Sequence, residues 1–375
     1  MSVEQVSFCI NPNLTIILET TNEELKHFFE KKFKGLFNGS VDEEKHSTIY
    51  LIEKEKLEIA DPQILREITI PEICVFNDND FLIVRNKKKI RVPFSKIGID
   101  KKLEIYFEQG FPKDWLRRFL DDILAFHVVG FDVSLFHGAS LINKDLEIII
   151  PAWRGTGKTN LALHLLINKG FSYKGEDQFF ISVDKNSFVY TDACHVDYKH
   201  MDEFPSLKKK YSSLPFSLRS MIVKIALPFL PPTGEISEFI RRGLIKVFAP
   251  KVFVKMEEFI PDFKVSFEQP KKRLVIQLIL CPSISDISIR PVELNRLVDR
   301  CIGGMQYERE DFYLAYYGWV YATGNRNTIV ENIATYERTV LQKALDKANC
   351  YEIQIPYGYD WTKNYSKIEK IIENI

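Results

Sequence analysis

The stretch Leu146-Glu-Ile-Ile-Ile-Pro-Ala-Trp-Arg-Gly-Thr-Gly-Lys-Thr159 decides how this chain is to be interpreted. An apolar run ends at Ile150, and a glycine-rich turn leads from it into an amphipathic segment that ends before Gly170. A buried strand, a loop and a helix in this order are the setting of a phosphate-binding loop, G-x-x-x-x-G-K-[ST]. The chain gives A-x-x-x-x-G-K-T, with Ala152 in place of the first glycine. The sequence therefore predicts a phosphate site over residues 152–159.

Each residue type in this loop suits a phosphate ligand. Gly155 and Gly157 allow the backbone to turn so that successive N–H groups face phosphate oxygens, and the helix beginning near Lys158 adds a positive N-terminal end. Lys158 would place its ammonium group on the β and γ phosphates, and Thr159 would offer a hydroxyl to Mg²⁺. The Arg154 side chain can contact either phosphate or solvent. The predicted nucleotide-binding residues are Arg154, Gly155, Thr156, Gly157, Lys158, Thr159 and Asn160.

Two adjacent carboxylates, Glu176 and Asp177, stand just after Gly175 at the start of the next apolar run. Neighbours on an extended strand point to opposite faces, but at a strand entry both can line one cleft. One carboxylate could then hold Mg²⁺ while the other accepts a proton from an attacking hydroxyl. Their place one helix after a phosphate loop favours chemistry over a solvated turn. His137 precedes the loop, and its spacing alone is more typical of a core histidine.

Composition excludes several classes of protein. Among 375 residues, Lys plus Arg is 51 and Asp plus Glu is 51, so the formal net charge is zero. The net charge therefore gives no reason to expect binding to nucleic acid or to an anionic membrane. No apolar run approaches the ~20 residues that span a bilayer, and Glu4 interrupts any secretory-signal pattern. The six cysteines form no CxxC pair. We therefore expect a reduced, cytoplasmic protein without nucleic-acid or membrane partners.

The length predicts two to three domains. Residues 1–112 have the pattern of short strands around one helix, Glu23–Phe33, and predict a mixed α+β accessory domain. Residues 113–304 hold the phosphate loop between apolar strands and predict the catalytic domain. Residues 305–375 predict a helical extension packed on that core, with helices over 328–348 and 365–375 and a strand over 351–355.

These features together resemble the catalytic domain of HPr kinase/phosphorylase and related serine kinases, which share a fold with phosphoenolpyruvate carboxykinase. The likeness is carried by His137-Gly138, Gly155-Thr-Gly-Lys-Thr159, Gly170-Phe171 and Glu176-Asp177. The spacings of 21 residues from His137 to Lys158 and 19 from Lys158 to Asp177 are close to the family pattern. The likeness is specific over 135–183 and weaker to about 301. It implies a P-loop kinase core of mixed β-sheet.

The resemblance also implies roles for single residues. Asp177 would be the general base, and His137 would sit beside the reacting phosphate. Lys158 and Thr159 would hold phosphates and Mg²⁺, and Glu176 would replace the first Asp of the family pair and help with the metal. The implied catalytic residues are therefore Asp177, His137 and Lys158, and the implied metal ligands are Thr159 and Glu176. The family's later glycine-rich signature is absent, which argues against HPr itself as the substrate.

The sequence thus leads to an ATP- and Mg²⁺-dependent kinase that acts on a hydroxyl, with a serine of a protein or peptide favoured by the resemblance. Lys208–Lys210 would attract an acidic peptide and support that choice. Two alternatives stay open: a kinase for a small-molecule or sugar hydroxyl, and a nucleotide-binding ATPase switch whose N-terminal domain engages a partner. Related kinases are often oligomers, so a homo-oligomer also stays open.

Overall fold

The computed structural model shows a mixed α+β protein built on mixed sheets, as the sequence predicts. None of the helices in the described part of the chain has the length and apolar character that crossing a bilayer needs. The structure describes residues 3–11, 13–33, 46–58, 72–75, 81–153, 155–184, 187–191, 193–197, 251–258, 260, 263–266, 268–356 and 361–373, with isolated positions between 218 and 240.

The N-terminal part forms a seven-stranded sheet within these residues, in the order β1-β2-β3-β7-β6-β5-β4. The β2, β3 and β7 strands are parallel neighbours, and the other pairs are antiparallel. Helix α1 (Glu23–Phe33) packs on one face, and the Asn22 side chain accepts from the Leu25 amide at 3.1 Å at its start. The strands are β1 (Glu4–Asn11), β2 (Leu14–Thr20), β3 (Ser47–Lys54), β4 (Glu72–Val75), β5 (Phe81–Arg85), β6 (Lys88–Val92) and β7 (Lys102–Glu108).

Asn86 and Lys87 form the tight turn between β5 and β6, and the remaining lysines of this run begin β6. Asn86 and Lys87 have φ values of +50° and +63°, and Arg85 pairs with Lys88. Two central residues with positive φ give the twist that antiparallel neighbours need across a two-residue turn. Both turn residues are exposed to solvent.

In the part of the chain that the structure describes, the central sheet has six strands in the order β11-β9-β10-β16-β18-β17, and a second sheet has the order β13-β12-β8. Because β10, β16 and β18 are parallel, their carboxyl ends share the edge from which the predicted phosphate loop leaves. The strands are β8 (Val133–His137), β9 (Ala139–Asn143), β10 (Leu146–Ile150), β11 (Ser172–Gly175), β12 (Gln178–Ser182), β13 (Ser187–Val189), β14 (Ala193–Asp197), β15 (Lys251–Lys255), β16 (Lys272–Leu280), β17 (Ser288–Pro291) and β18 (Asn349–Ile355).

Helices cover both faces of the central sheet. Ile148 and Ile150 of β10 lie in one apolar cluster with Leu161 of α3, whereas Ile149 lies in another with Leu297 of α4. This alternation follows from the two-residue period of a strand, and burial on both faces explains why β10 is apolar throughout. Within the described residues, the α-helices beyond α1 are α2 (Lys113–Val128), α3 (Lys158–Asn168), α4 (Leu294–Glu308), α5 (Glu310–Thr323), α6 (Thr328–Ala344) and α7 (Trp361–Glu373).

The apolar run over 133–141 is divided at Gly138. Residues before it pair with β12 in the smaller sheet, and residues after it pair with β10 in the central sheet. A Cβ atom at Gly138 would approach Phe136 Cε1 to 2.8 Å and the Ile150 carbonyl oxygen to 3.2 Å. Only glycine fits where the chain passes from one sheet to the other.

The C-terminal residues are part of this framework. Strand β18 lies between β16 and β17, so residues after 305 complete the sheet that carries the phosphate loop. Helix α4 runs through the predicted boundary at 304, and α5 was not predicted. Asn327, just before α6, donates to the carbonyl oxygens of Phe94 and Ile97, both at 2.8 Å. The division into three domains stays a prediction.

Candidate functional site

The predicted phosphate loop leaves β10 at Ile150 and enters α3 at Lys158. Gly155 and Gly157 have φ values of +81° and +98°, the left-handed region that other L-residues rarely adopt. A Cβ atom at Gly155 would meet no heavy atom within 4 Å, so backbone conformation rather than space requires glycine there. The Thr156 amide and hydroxyl both donate to the Trp153 carbonyl oxygen, at 3.2 and 2.7 Å. This tight turn has the backbone conformation expected from the motif. The predicted residue Arg154 lies outside the described residues.

Lys158 stands between the two predicted carboxylates. Its Nζ atom donates to Asp177 Oδ1 at 2.9 Å and lies 3.9 Å from Glu176 Oε1. Burial alone lowers the pKa of Lys158, but the neighbouring charges of Asp177 and Glu176 outweigh it, and the pKa is raised. The lysine is therefore a firmly charged, buried cation at the start of α3.

Thr159 and Glu176 form the second contact of the site. The Thr159 hydroxyl donates to Glu176 Oε1 at 2.6 Å, and the Glu176 side chain is buried. A hydroxyl and a carboxylate oxygen are the hard ligands that Mg²⁺ prefers, usually completed by phosphate and water. These two residues fit a magnesium ion shared with a nucleotide phosphate. Among the described residues, His, Cys, Asp and Glu side chains nowhere gather in a group of three or more that could hold a metal ion.

Asp177 has a backbone conformation that brings the two carboxylates together. Its φ is +71°, which is uncommon for a residue other than glycine, and its carbonyl oxygen accepts from the Gly138 amide at 3.1 Å. On a regular strand Glu176 and Asp177 would point to opposite faces. The left-handed turn instead places an oxygen of each within 4 Å of Lys158 Nζ. Strained backbone of this kind concentrates at functional sites.

His137 ends β8 beside this pair. Its Nε2 atom lies 3.8 Å from Asp177 Oδ1, and its backbone is paired with Gln178 at the start of β12. The structure thus brings together five residues that the sequence predicted: Lys158, Thr159, Glu176, Asp177 and His137. Thr156 and Asn160 are buried in the loop and the first turn of α3.

Sequence reasoning did not find three further residues near the site. Trp153 of the loop contacts Tyr307 at the end of α4, and Lys32 of α1 lies within electrostatic range of Asp177. Burial lowers the pKa of Lys32 to about 8, although its hydrogen bond to Asp121 opposes that shift. These contacts join segments far apart in the chain, and no local motif marks them. The chain matches no protein-family model and no curated protein.

Proposed function

We propose that this protein is an ATP- and Mg²⁺-dependent phosphotransferase that acts on a hydroxyl acceptor, as its resemblance to HPr kinase implies. The observation that supports this most strongly is the convergence of Asp177 and Glu176 on Lys158 and Thr159. A phosphate loop alone would serve a binding protein equally well. A half-exposed carboxylate held beside the loop lysine is the additional group that proton removal from an acceptor requires.

Some residues of the site would neutralise charge, and others would take part in proton transfer. Lys158 and the start of α3 would neutralise the phosphates, and Thr159 with Glu176 would hold Mg²⁺, which supplies further charge neutralisation when bound. Asp177 would accept the proton of the acceptor hydroxyl at a carboxylate oxygen. His137, 3.8 Å from that carboxylate, would orient it.

The exposure of Asp177 bears on the acceptor. Its side chain is 51% exposed, whereas Glu176 beside it is buried. A general base open to solvent can be reached by a serine on the surface of a protein or peptide, which agrees with the serine kinases that the chain resembles. A small-molecule hydroxyl is the alternative. Lys208–Lys210, the predicted attraction for an acidic peptide, lies outside the described residues.

The test is transfer of labelled γ-phosphate from Mg·ATP, with the protein alone and in lysate of its host. Wild type is compared with Lys158→Ala and Asp177→Asn. We expect a labelled acceptor that disappears with either substitution, and its size separates a protein from a small molecule. Release of free phosphate without a labelled acceptor would favour the ATPase switch. Full transfer by Asp177→Asn would show that this carboxylate is not the base.

A further inference from the structure

Trp153 and Tyr307 form an exposed aromatic pair beside the phosphate loop. Their ring centroids are 4.6 Å apart with an interplanar angle of 37°, and the two residues are 52% and 54% exposed. Trp153 belongs to the loop itself, and Tyr307 to the last turn of α4. Isolated apolar residues on a surface need no explanation, but exposed apolar side chains that contact each other often mark a ligand-binding or interaction site.

Both rings are held close to the phosphate-binding residues. The Trp153 carbonyl oxygen accepts two hydrogen bonds from Thr156, which fixes the tryptophan to the turn of the loop. Glu308, next to Tyr307, lies within electrostatic range of the Lys158 ammonium. The end of α4 therefore lies beside the predicted phosphate loop.

The aromatic pair and the reacting carboxylate lie on opposite sides of β10. Asp177 follows β11, which is joined to β10 through β9. Ala152, directly before Trp153, is bridged to Leu278 of β16, the neighbour of β10 on its other side. With its terminal phosphate facing Asp177, a bound nucleotide would extend away from β9, toward β16 and α4.

We propose that Trp153 and Tyr307 form the stacking surface for the base of the bound nucleotide. This rests on the proposed function, since it requires a nucleotide whose phosphates lie on the loop. Stacking on aromatic rings tolerates every base because each base has a π-face. Adenine and guanine nucleotides are therefore expected to bind with similar affinity through this surface.

The test compares two ligands that share phosphates and differ in the base. Equilibrium binding of Mg·ATP and of Mg·tripolyphosphate is measured by calorimetry for wild type, Trp153→Ala, Tyr307→Ala, Trp153→Phe and Lys158→Ala. Stacking on one ring predicts that Trp153→Ala weakens ATP binding about 5- to 150-fold and leaves tripolyphosphate binding unchanged. Trp153→Phe should restore most of the ATP affinity. Tyr321→Ala, which removes an 84% exposed tyrosine of α5, is the matched control.

Each other outcome has a definite meaning. An unchanged ATP affinity in both alanine variants, or equal losses for ATP and tripolyphosphate, would overturn the stacking surface while the phosphate site stands. If wild type binds neither ligand, or if Lys158→Ala binds both as wild type does, the phosphate site itself is wrong and the stacking surface falls with it. Thermal unfolding of every variant separates lost binding from lost folding.

Discussion

The ammonium group of Lys158 lies 2.9 Å from the carboxylate of Asp177, across 19 residues of sequence. In the proposed function, the lysine binds the phosphates of the nucleotide, and the aspartate accepts a proton from the acceptor hydroxyl. Their direct contact means that each neutralises the other until a ligand arrives. Binding of a phosphate would draw Lys158 away and leave the Asp177 carboxylate able to accept a proton.

Replacing Asp177 with asparagine should separate binding from transfer. Asparagine keeps the shape of the aspartate side chain and tolerates a positive φ well, so the fold should be retained. We expect phosphoryl transfer to fall by about 10²- to 10⁴-fold, the usual contribution of a general base. ATP binding should be retained, because a negative charge near the phosphates has been removed. Single-turnover rates and equilibrium ATP binding measure the two effects.

Asp132→Asn is the matched control for that substitution. Asp132 is also a left-handed aspartate, with a φ of +57°, and it is exposed at the entry to β8. The same chemical change there should leave transfer unaffected. An equal loss of transfer in both variants would point to the backbone at these positions rather than to the carboxylate of Asp177.

The Thr159–Glu176 contact predicts a change in magnesium dependence. Thr159→Val removes the hydroxyl while keeping the shape, and Glu176→Gln removes the charge. Loss of one hard oxygen ligand or its charge should raise the Mg²⁺ concentration for half-maximal transfer about tenfold or more. The measurement is a magnesium titration at saturating ATP.

Two conservative variants complete that titration. Thr159→Ser keeps the hydroxyl, and Glu176→Asp keeps the charge of a buried carboxylate at a shorter reach. Both should need less Mg²⁺ than the variants that remove the group. If Thr159→Val and Thr159→Ser titrate alike, the hydroxyl does not hold the metal.

Local features of the site were open to prediction because they rest on local rules. The turn at Gly155 and Gly157 follows from the positive φ that glycine permits, and Gly170, with a φ of +66°, ends α3 as expected. The apolar run before the loop predicted a strand buried on both faces, and β10 has that position. These elements depend on residues that are close together in the sequence, so the sequence was enough to predict them.

Contacts between distant segments could not be predicted in this way. Tyr307 contacts Trp153 although the two residues are far apart in the sequence, and Lys32 of helix α1 lies within electrostatic range of Asp177. The direction of the Asp177 side chain depends on the left-handed backbone conformation of Asp177 itself. The pattern of polar and apolar residues around it predicts only the start of a strand. Helix α5 was missed because aromatic residues occur all round it, so that its sequence lacks a clear polar face.

Asn327 should be important for stability, since it links residues 94–97 to the start of α6. Its side chain accepts from the Ile329 and Val330 amides at the start of α6 and donates to the carbonyl oxygens of Phe94 and Ile97. Asn327→Ala removes a helix cap and leaves two buried carbonyl oxygens without these donors, so the free energy of unfolding should fall by about 2–4 kcal/mol. Chemical denaturation measures this loss.

Asn332→Ala supplies the comparison for Asn327→Ala. Asn332 is exposed on the same helix, and its amide donates only to the Thr328 carbonyl oxygen at 2.9 Å in the part of the chain that the structure describes. Its loss should lower the free energy of unfolding by less than about 0.5 kcal/mol. Equal losses in the two variants would contradict the link between Asn327 and residues 94–97.

Glu352 of β18 should make the protein sensitive to acid. Burial raises the pKa of this carboxyl, but hydrogen bonds from Arg300, Gln354 and Arg290 outweigh burial and hold the pKa at about 2, below its ordinary 4.5. Stability from this site is therefore complete above about pH 4.5 and is lost as the pH falls toward 2, a linkage on the order of 3 kcal/mol.

Glu352→Gln cannot titrate, so its deficit in the free energy of unfolding against wild type should shrink between pH 5 and pH 2.5. Glu310→Gln at an exposed position should follow wild type throughout. Denaturation midpoints across this range decide the matter, and a constant deficit for Glu352→Gln would contradict the lowered pKa.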